Sequence, residues 1–312
     1  MPTKYRQFRE TSHFSRSELT AVTFNVAKGS QRRMDAIIGD VMKLHKGLWN
    51  DGHRRHCIIG LQEIGTWAEL SQPKTHRHMI FMGRPSLSDC GFLFPRDLIP
   101  SIVSMVWGER YFIIAAINVV FVAMHLVWTE EAADTLENIQ KHIYEIKASF
   151  PQCTEVIFCS DSNVSLTKNA TTPCRTSVMT GGAVVESSHS TRNRQEFLSF
   201  LWSFEALVAS TFGSGSDRSL IHTWRRHRKK IETTLTNTSQ IDHIATTQGI
   251  EVLQNVVGTW MVQQKTCNSR TWIIWKSYHW PVLQALRLPD FSSSDGTISK
   301  GQQFPEVRIQ YL

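Results

Sequence analysis

A chain of 312 residues, 41% hydrophobic and 20% charged, can bury a large core and is too apolar to be a disordered polyelectrolyte. Lys and Arg outnumber Asp and Glu by 34 to 27, and the formal net charge of +7 favours polyanionic partners, nucleic acid or an anionic membrane. The six cysteines, at 57, 90, 153, 159, 174 and 267, contain no C-x-x-C pair, and several sit inside apolar runs. That argues against a zinc ribbon or a disulfide framework and for reduced, buried thiols in an intracellular protein, nuclear or cytoplasmic.

Residues 1–18 are a polar leader without the apolar stretch of a secretory signal, so secretion is not expected. Leu19 to Val26 (LTAVTFNV) reads as the first strand, with Asn25 near its end. Met34, Ile37, Ile38, Val41, Met42 and Leu48 then follow a helical stripe. Cys57 to Leu61 is a second strand, running into Gln62-Glu63. Met79 to Met82 and Gly91 to Phe94 are further strand candidates. Tyr111 to Trp128 approaches the roughly 18 residues of a membrane span, but Asn118 splits it into two β-branched and aromatic runs. Two consecutive buried strands, the second ending at His125, are expected there, and no span. Thr129 is the expected N-cap of the next helix, with Glu130 and Glu131 in its first turn. Its buried face is Ala132, Leu136, Ile139, Ile143 and Ile146.

Val156 to Cys159 has the composition of a buried strand and leads to Asp161-Ser162-Asn163. Two residues apart on an extended chain, Asp161 and Asn163 leave on the same face. Taken alone, the pair reads first as an Asx-turn closing the strand and second as a site for water or a phosphate oxygen, and it is the other apolar runs ending in the same way that favour the site. Residues 167–192 read as a Ser/Thr-rich loop, and Phe197, Leu198, Leu201 and Phe204 as a helix. Thr223-Trp224 opens an expected hairpin with a basic tip, Arg225, Arg226, His227, Arg228, Lys229 and Lys230, and Gln240 to Ala245 as its return strand. Val252 to Val262 is another strand region, and a last strand ends at Leu288. Residues 289–312 form a Ser-rich polar tail or linker. Early alternation of strands and helices, then strand pairs, indicates a mixed α/β domain with a largely antiparallel core.

Asn25, Glu63, His125, Asp161, Asn163, Asp242 and His279 all fall at the ends of these strands. Carboxylate and amide oxygens are hard ligands suited to Mg²⁺ or Mn²⁺. Imidazole beside carboxylate serves acid–base chemistry or phosphate stabilisation. The pieces TFNV, GLQE, AMHL, SDSN, QIDHI and SYHWPV, in this order over residues 19–288, resemble the endonuclease/exonuclease/phosphatase superfamily, the fold of deoxyribonuclease I. Within it the chain is most similar to endonuclease domains of non-LTR retrotransposons, through Arg192-Asn193 before the helix of Phe197, Leu198 and Leu201, then the TW hairpin, then Q-I-D.

The resemblance implies a four-layer α/β/β/α sandwich of two mixed, largely antiparallel sheets flanked by helices. It implies a Mg²⁺- or Mn²⁺-dependent phosphodiesterase that nicks DNA, with any reverse transcriptase encoded elsewhere. By position, Asn25 and Glu63 would hold the metal and Asp161 would orient or deprotonate the attacking water. Asn163 would contact the scissile phosphate, His279 would stabilise or protonate the departing oxygen with Asp242 fixing its tautomer, and His125 would sit on the phosphate side. The basic residues Arg225, Arg226, Arg228, Lys229 and Lys230 would contact nucleic-acid phosphates. One motif departs: the superfamily's Ser-Asp-His is here Ser277-Tyr278-His279. A phenol, with an ordinary pKa of about 10, is neutral and a poor Mg²⁺ ligand. The substitution opens a second reading, a catalytically impaired nucleic-acid-binding relic. A third is a phosphatase on a lipid or small phosphoester, since one fold hosts many chemistries.

Overall fold

Side-chain alternation along the strands decides the layers of this molecule. The structure, a computed structural model, describes residues 18–27, 31–49, 53, 55–65, 78–84, 86–166, 180, 193–212, 223–225, 238–257, 262–267, 270–275, 279 and 281–289, with the backbone alone for 31–37, 224–225, 238, 262–267 and 270–275. In chain order the elements are β1 (Glu18–Asn25), α1 (Gln31–Leu48), β2 (His56–Gln62), β3 (Met79–Gly83), β4 (Gly91–Pro95), β5 (Ile102–Gly108), β6 (Tyr111–Ala116) and β7 (Val119–His125). They continue with α2 (Ala133–Ser149), β8 (Glu155–Asp161), α3 (Arg194–Ser203), β9 (Trp224–Arg225), β10 (Thr238–Ser239), β11 (Asp242–Thr246), β12 (Glu251–Val257), β13 (Val262–Cys267), β14 (Arg270–Trp275) and β15 (Val282–Arg287).

One sheet has six strands in the order β12-β15-β1-β2-β4-β3, the other five in the order β11-β8-β7-β6-β5. Each contains one parallel pair, β1–β2 and β7–β8, joined by a crossover through α1 and α2 respectively. The remaining pairs in both sheets are antiparallel. One face of each sheet supplies the inter-sheet core, with Leu19, Ala21, Ile58, Phe121, Ala123, Ile157, Cys159 and Ile244. The opposite face of the six-stranded sheet, through Val22 and Phe24, packs on Ile38, Val41 and Leu48 of α1. The opposite face of the five-stranded sheet, through Val122 and Phe158, packs on Leu136, Ile139 and Ile143 of α2 and Phe197 and Leu201 of α3. The result is the four-layer α/β/β/α sandwich.

The apolar stretch from Tyr111 is two antiparallel strands joined at Ile117 and Asn118, whose φ values of 47° and 63° make the type I′ turn that matches strand twist. No helix among the described residues is long and apolar enough to cross a membrane. Cys57, Cys90, Cys153 and Cys159 are free and buried. Cys174 lies outside the described residues.

Four expectations are corrected. The helix after β7 starts at Ala133, not near Thr129, with Ala132 at its N-cap and no side-chain cap. Glu130 instead pairs with Arg110, 3.0 Å away, on the segment before the helix. The return strand of the Thr223-Trp224 hairpin is Thr238–Ser239, while the Q-I-D segment continues into β11 and joins β8 of the five-stranded sheet. Val252 to Val262 is split between β12 and a separate hairpin, β13–β14. Ile102–Gly108, β5, has no counterpart among the expected strands, because as an edge strand it is half-buried on every residue and shows no alternation.

At Gly60 the two sheets approach closely. A Cβ there would stand 2.5 Å from Cys159 Cβ on the facing sheet, and neither atom is the end of a flexible chain. Gly60→Ala is expected to lower stability by about 1–3 kcal/mol through overpacking. Cys159→Gly on the same background should recover part of that loss, read from urea midpoints. Additive effects of the two substitutions would show that the contact does not set the sheet separation.

Candidate active site

The inter-sheet faces are apolar along most of their length and turn polar at one end. On β1 the row Leu19, Ala21, Thr23 ends in Asn25, and on β7 the row Phe121, Ala123 ends in His125. On β8 the row Ile157, Cys159 ends in Asp161, and on β11 Ile244 is preceded by Asp242. The period of two alone therefore puts all four polar groups between the sheets. Pairing makes three of them a row: His125 is opposite Asp161 across β7–β8, and Asp161 is opposite Asp242 across β8–β11.

Two carboxylates directly opposite each other and 0% exposed repel strongly unless compensated. The compensation comes from three sides. Asn25 Nδ2 donates to Asp161 Oδ2 at 2.7 Å and to Glu63 Oε1 at 2.9 Å. The amide is held in that sense because Ala27 N donates to Asn25 Oδ1 at 2.8 Å. His279 Nδ1 lies 3.1 Å from both carboxylate oxygens of Asp242 and 3.7 Å from Asp161 Oδ2. His125 lies on the other side, with Nε2 3.7 Å from Glu63 Oε1 and Nδ1 2.7 Å from Asp89 Oδ2. Burial raises the Asp161 pKa, the Asp242 charge adds to it, and the two imidazoles and Asn25 pull against them, with a net rise. Burial alone would depress His279, but Asp242, Asp161 and Glu63 outweigh it and push its pKa up to about 9. His125 is raised in the same way, against burial, by its bond to Asp89 and the charges of Asp161, Asp89 and Glu63.

The turns that leave the strands are strained where they meet the site. Ala27, Glu63 and Asn163 have φ of 48°, 50° and 49°, the left-handed region that non-glycine residues enter at a cost of roughly 1–2 kcal/mol. At Glu63 this turn ends the alternation of β2 and brings the carboxylate to Asn25. At Asn163 it closes an Asx-turn, N–H to Asp161 Oδ1 at 3.1 Å, and aims the side-chain amide at the Leu126 carbonyl, 2.8 Å away.

Asn25, Glu63, His125, Asp161, Asp242 and His279 thus lie in one cleft end, with Asn163 at its rim. Of the basic hairpin, Arg225 has its backbone in β9, while Arg226, Arg228, Lys229 and Lys230 lie outside the described residues, as does Tyr278. β11 and the closing strand β15 are in different sheets rather than paired neighbours, and the Asp242–His279 bond crosses between the sheets.

Sequence reasoning passed over Asp89, Arg110 and Thr223. Asp89 orients His125, and Arg110 holds Asp89 at 3.0 Å. Thr223 Oγ1 accepts the backbone N–H groups of Ile241 and Asp242, 3.0 Å each, and so fixes the start of β11. Asp89 and Arg110 precede strands that run antiparallel to β2 and β7, so a strand's beginning, not its end, reaches the site.

Among the described residues, Glu63, His125 and Asp161 offer ligand atoms within 4.8 Å of one another, and so do Asp161, Asp242 and His279. Glu63 and Asp161 offer hard carboxylate oxygens of the kind that suits Mg²⁺ or Mn²⁺, while Asn25 turns Nδ2 rather than Oδ1 toward them.

No protein-family model matches the sequence, and no curated protein matches it by sequence. Solved structures match the fold. An endonuclease/exonuclease/phosphatase family protein from Bacteroides thetaiotaomicron is 12% identical, covering 87% of this chain and 98% of its own, with a TM-score of 0.54. A mannosyl-6-phosphatase from the same organism is 13% identical, covering 86% and 99%, with a TM-score of 0.52. An AP endonuclease from Archaeoglobus fulgidus is 12% identical, covering 85% and 98%, with a TM-score of 0.51. The chain has the fold of the endonuclease/exonuclease/phosphatase superfamily.

The histidines predict the pH profile of the metal-free protein. His279, raised from an ordinary value near 6.5 to about 9, contributes stability that is fully present below 6.5 and lost as the pH rises through 9. His45 and His243, which burial lowers to about 4, contribute stability present above 6.5 and lost as the pH falls toward 4. Denaturant midpoints measured in EDTA should therefore peak between these limbs. His279→Asn should flatten the alkaline limb, and an unchanged limb would remove His279 from this role.

Proposed function

We propose that the protein is a divalent-metal-dependent phosphodiesterase acting on nucleic acid, most concretely a DNA-nicking endonuclease. The observation that carries the reading is the row His125–Asp161–Asp242, closed by Asn25 and Glu63 on one side and by a protonated His279 on the other. It offers a base, an acid and a hard-oxygen set within one hydrogen-bonded unit. The net charge of +7 favours a polyanionic substrate over a small neutral one.

Glu63 would hold the metal next to Asp161, and Asn25 would join them through Oδ1 once its amide turned from the donor orientation it has here. Bound there, Mg²⁺ or Mn²⁺ supplies Lewis-acid stabilisation of charge on a phosphoryl oxygen. Asp161, whose pKa is raised, accepts a proton from the attacking water as its oxygen bonds to phosphorus. The bond from phosphorus to the leaving oxygen breaks, and that oxygen takes a proton from His279. Asp242 keeps Nδ1 of His279 occupied, so the transferred proton comes from Nε2. His125, oriented by Asp89, stands on the phosphate side with a second positive charge. Asn163 Nδ2, one of its protons on Leu126, has another for a phosphate oxygen. The products are a phosphomonoester and an alcohol.

The finer assignment, to an endonuclease of retrotransposon type, rests on the order of the sequence motifs. Tyr278 supports the second reading, an impaired domain that binds nucleic acid without efficient turnover. A mannosyl-6-phosphatase of the same fold keeps a small phosphoester in play as a substrate.

Supercoiled plasmid should be nicked in Mg²⁺ or Mn²⁺ and left intact in EDTA. Asp242→Ala should slow nicking at least about 100-fold, the lower end of a general acid–base contribution, while the protein stays folded by circular dichroism. Wild-type rates from Asp242→Ala would exclude the pair from the mechanism. Tyr278→Asp should raise both Mg²⁺ affinity and nicking rate, because metal affinity follows ligand charge. If the native chain already nicks as fast as Tyr278→Asp at sub-millimolar Mg²⁺, Tyr278 does not impair the site.

A further inference from the structure

Trp128 is 66% exposed, the highest value among the exposed large hydrophobic side chains of the described residues. A lone exposed apolar side chain needs no explanation, but this one is held in a particular place. It follows His125 by three residues, on the segment that leaves β7 at the candidate site. That segment is pinned at two residues, Leu126 and Glu130. The Leu126 carbonyl accepts Asn163 Nδ2 at 2.8 Å, and Leu126 N donates to the Asp161 carbonyl at 2.9 Å. Glu130 takes Arg110 through its carboxylate at 3.0 Å and Asn193 Nδ2 through its carbonyl at 3.0 Å. The indole is therefore displayed on a loop whose position is set by the same residues that set the site.

The charged groups beside the loop are acidic in balance, so the indole and not a cation is what this segment offers a strand. Arg110 is neutralised by Asp89, Glu109 and Glu130, so it is not a phosphate contact. An exposed aromatic face on the segment that bonds to Asp161 and Asn163 is the kind of surface on which a base of a single strand stacks.

We infer that Trp128 is the stacking platform for a nucleobase of the strand whose phosphate enters the site, and so a residue that selects nucleic acid over base-free phosphoesters. The inference rests on the nucleic-acid reading above and deepens it. A base stacked three residues from His125 orients the strand without taking part in proton transfer, which makes Trp128 a positioning residue.

The test compares two 20-unit oligomers with the same phosphate charge, oligothymidylate and an abasic deoxyribose-phosphate chain. Binding to the full chain is measured by fluorescence anisotropy in EDTA, so that no cleavage intervenes. Trp128→Ala should weaken oligothymidylate binding by about 5- to 100-fold relative to its effect on the abasic oligomer, the span of base–aromatic stacking. Trp128→Phe should retain most of the preference, which a merely structural defect would not allow. Equal losses for both oligomers, or no loss for either, would overturn the role of Trp128 while leaving the nucleic-acid reading intact. Failure of the native chain to bind either oligomer would overturn both.

Discussion

Asp161 and Asp242 face each other across adjacent antiparallel strands, fully buried, and the site is organised around that repulsion. Two like charges in this position are stable only where positive charge and donors converge on them. Asn25 reaches them from the other sheet and His279 from the segment before the last strand, while His125 is their neighbour in the ladder. The contacts that balance the pair also hold the polar ends of the two sheets together. One step further in, Gln62 repeats the device, accepting from Thr23 and donating to the Cys159 carbonyl on the facing sheet. Stability and chemistry are thus the same set of bonds, and a cation in the site would relieve the same repulsion.

The second constraint is that the polar end must not break the apolar faces. It does not, because each polar group occupies the next position of a row that, apart from Thr23 on β1, is Leu, Ala, Ile, Phe or Cys. Close approach of the sheets at Gly60 keeps Asn25 within 2.7 Å of Asp161. Where alternation would have sent Glu63 to the face opposite Gln62, the backbone turns left-handed. Such conformations persist because the surrounding bonds overdetermine them, and they place ligands where a regular strand cannot.

Around this centre lies an outer set of charges with a different task. Arg110 ties Asp89 to Glu130, and thereby the loop after β7 to the loop before β4. That ties the orientation of His125 to the position of Trp128 through two ion pairs. Thr223 does the corresponding work for Asp242 with one hydroxyl and two backbone amides.

Much of this was legible in the residues themselves. The β-branched runs, the amphipathic helix of Leu136, Ile139, Ile143 and Ile146, and the polar residues closing β1, β2, β7 and β8 follow from local periodicity, which depends on neighbours in sequence alone. Asp242 opens β11 and His279 lies three residues before β15, so their place beside the expected strands was legible and their roles came from motif order. What the sequence could not determine is which ends of which strands meet. Asp89 and Arg110 stand before strands that run antiparallel to β2 and β7, so they arrive at the site from the opposite chain direction, and only sheet pairing decides that. The location of β11 beside β8, the absence of a cap at Thr129 and the half-buried edge strand β5 were likewise settled by long-range contacts. Local sequence determined which residues could carry the chemistry; the tertiary structure decided their company, because hydrogen-bonded pairing and charge balance act between residues as far apart as Asn25 and Asp161.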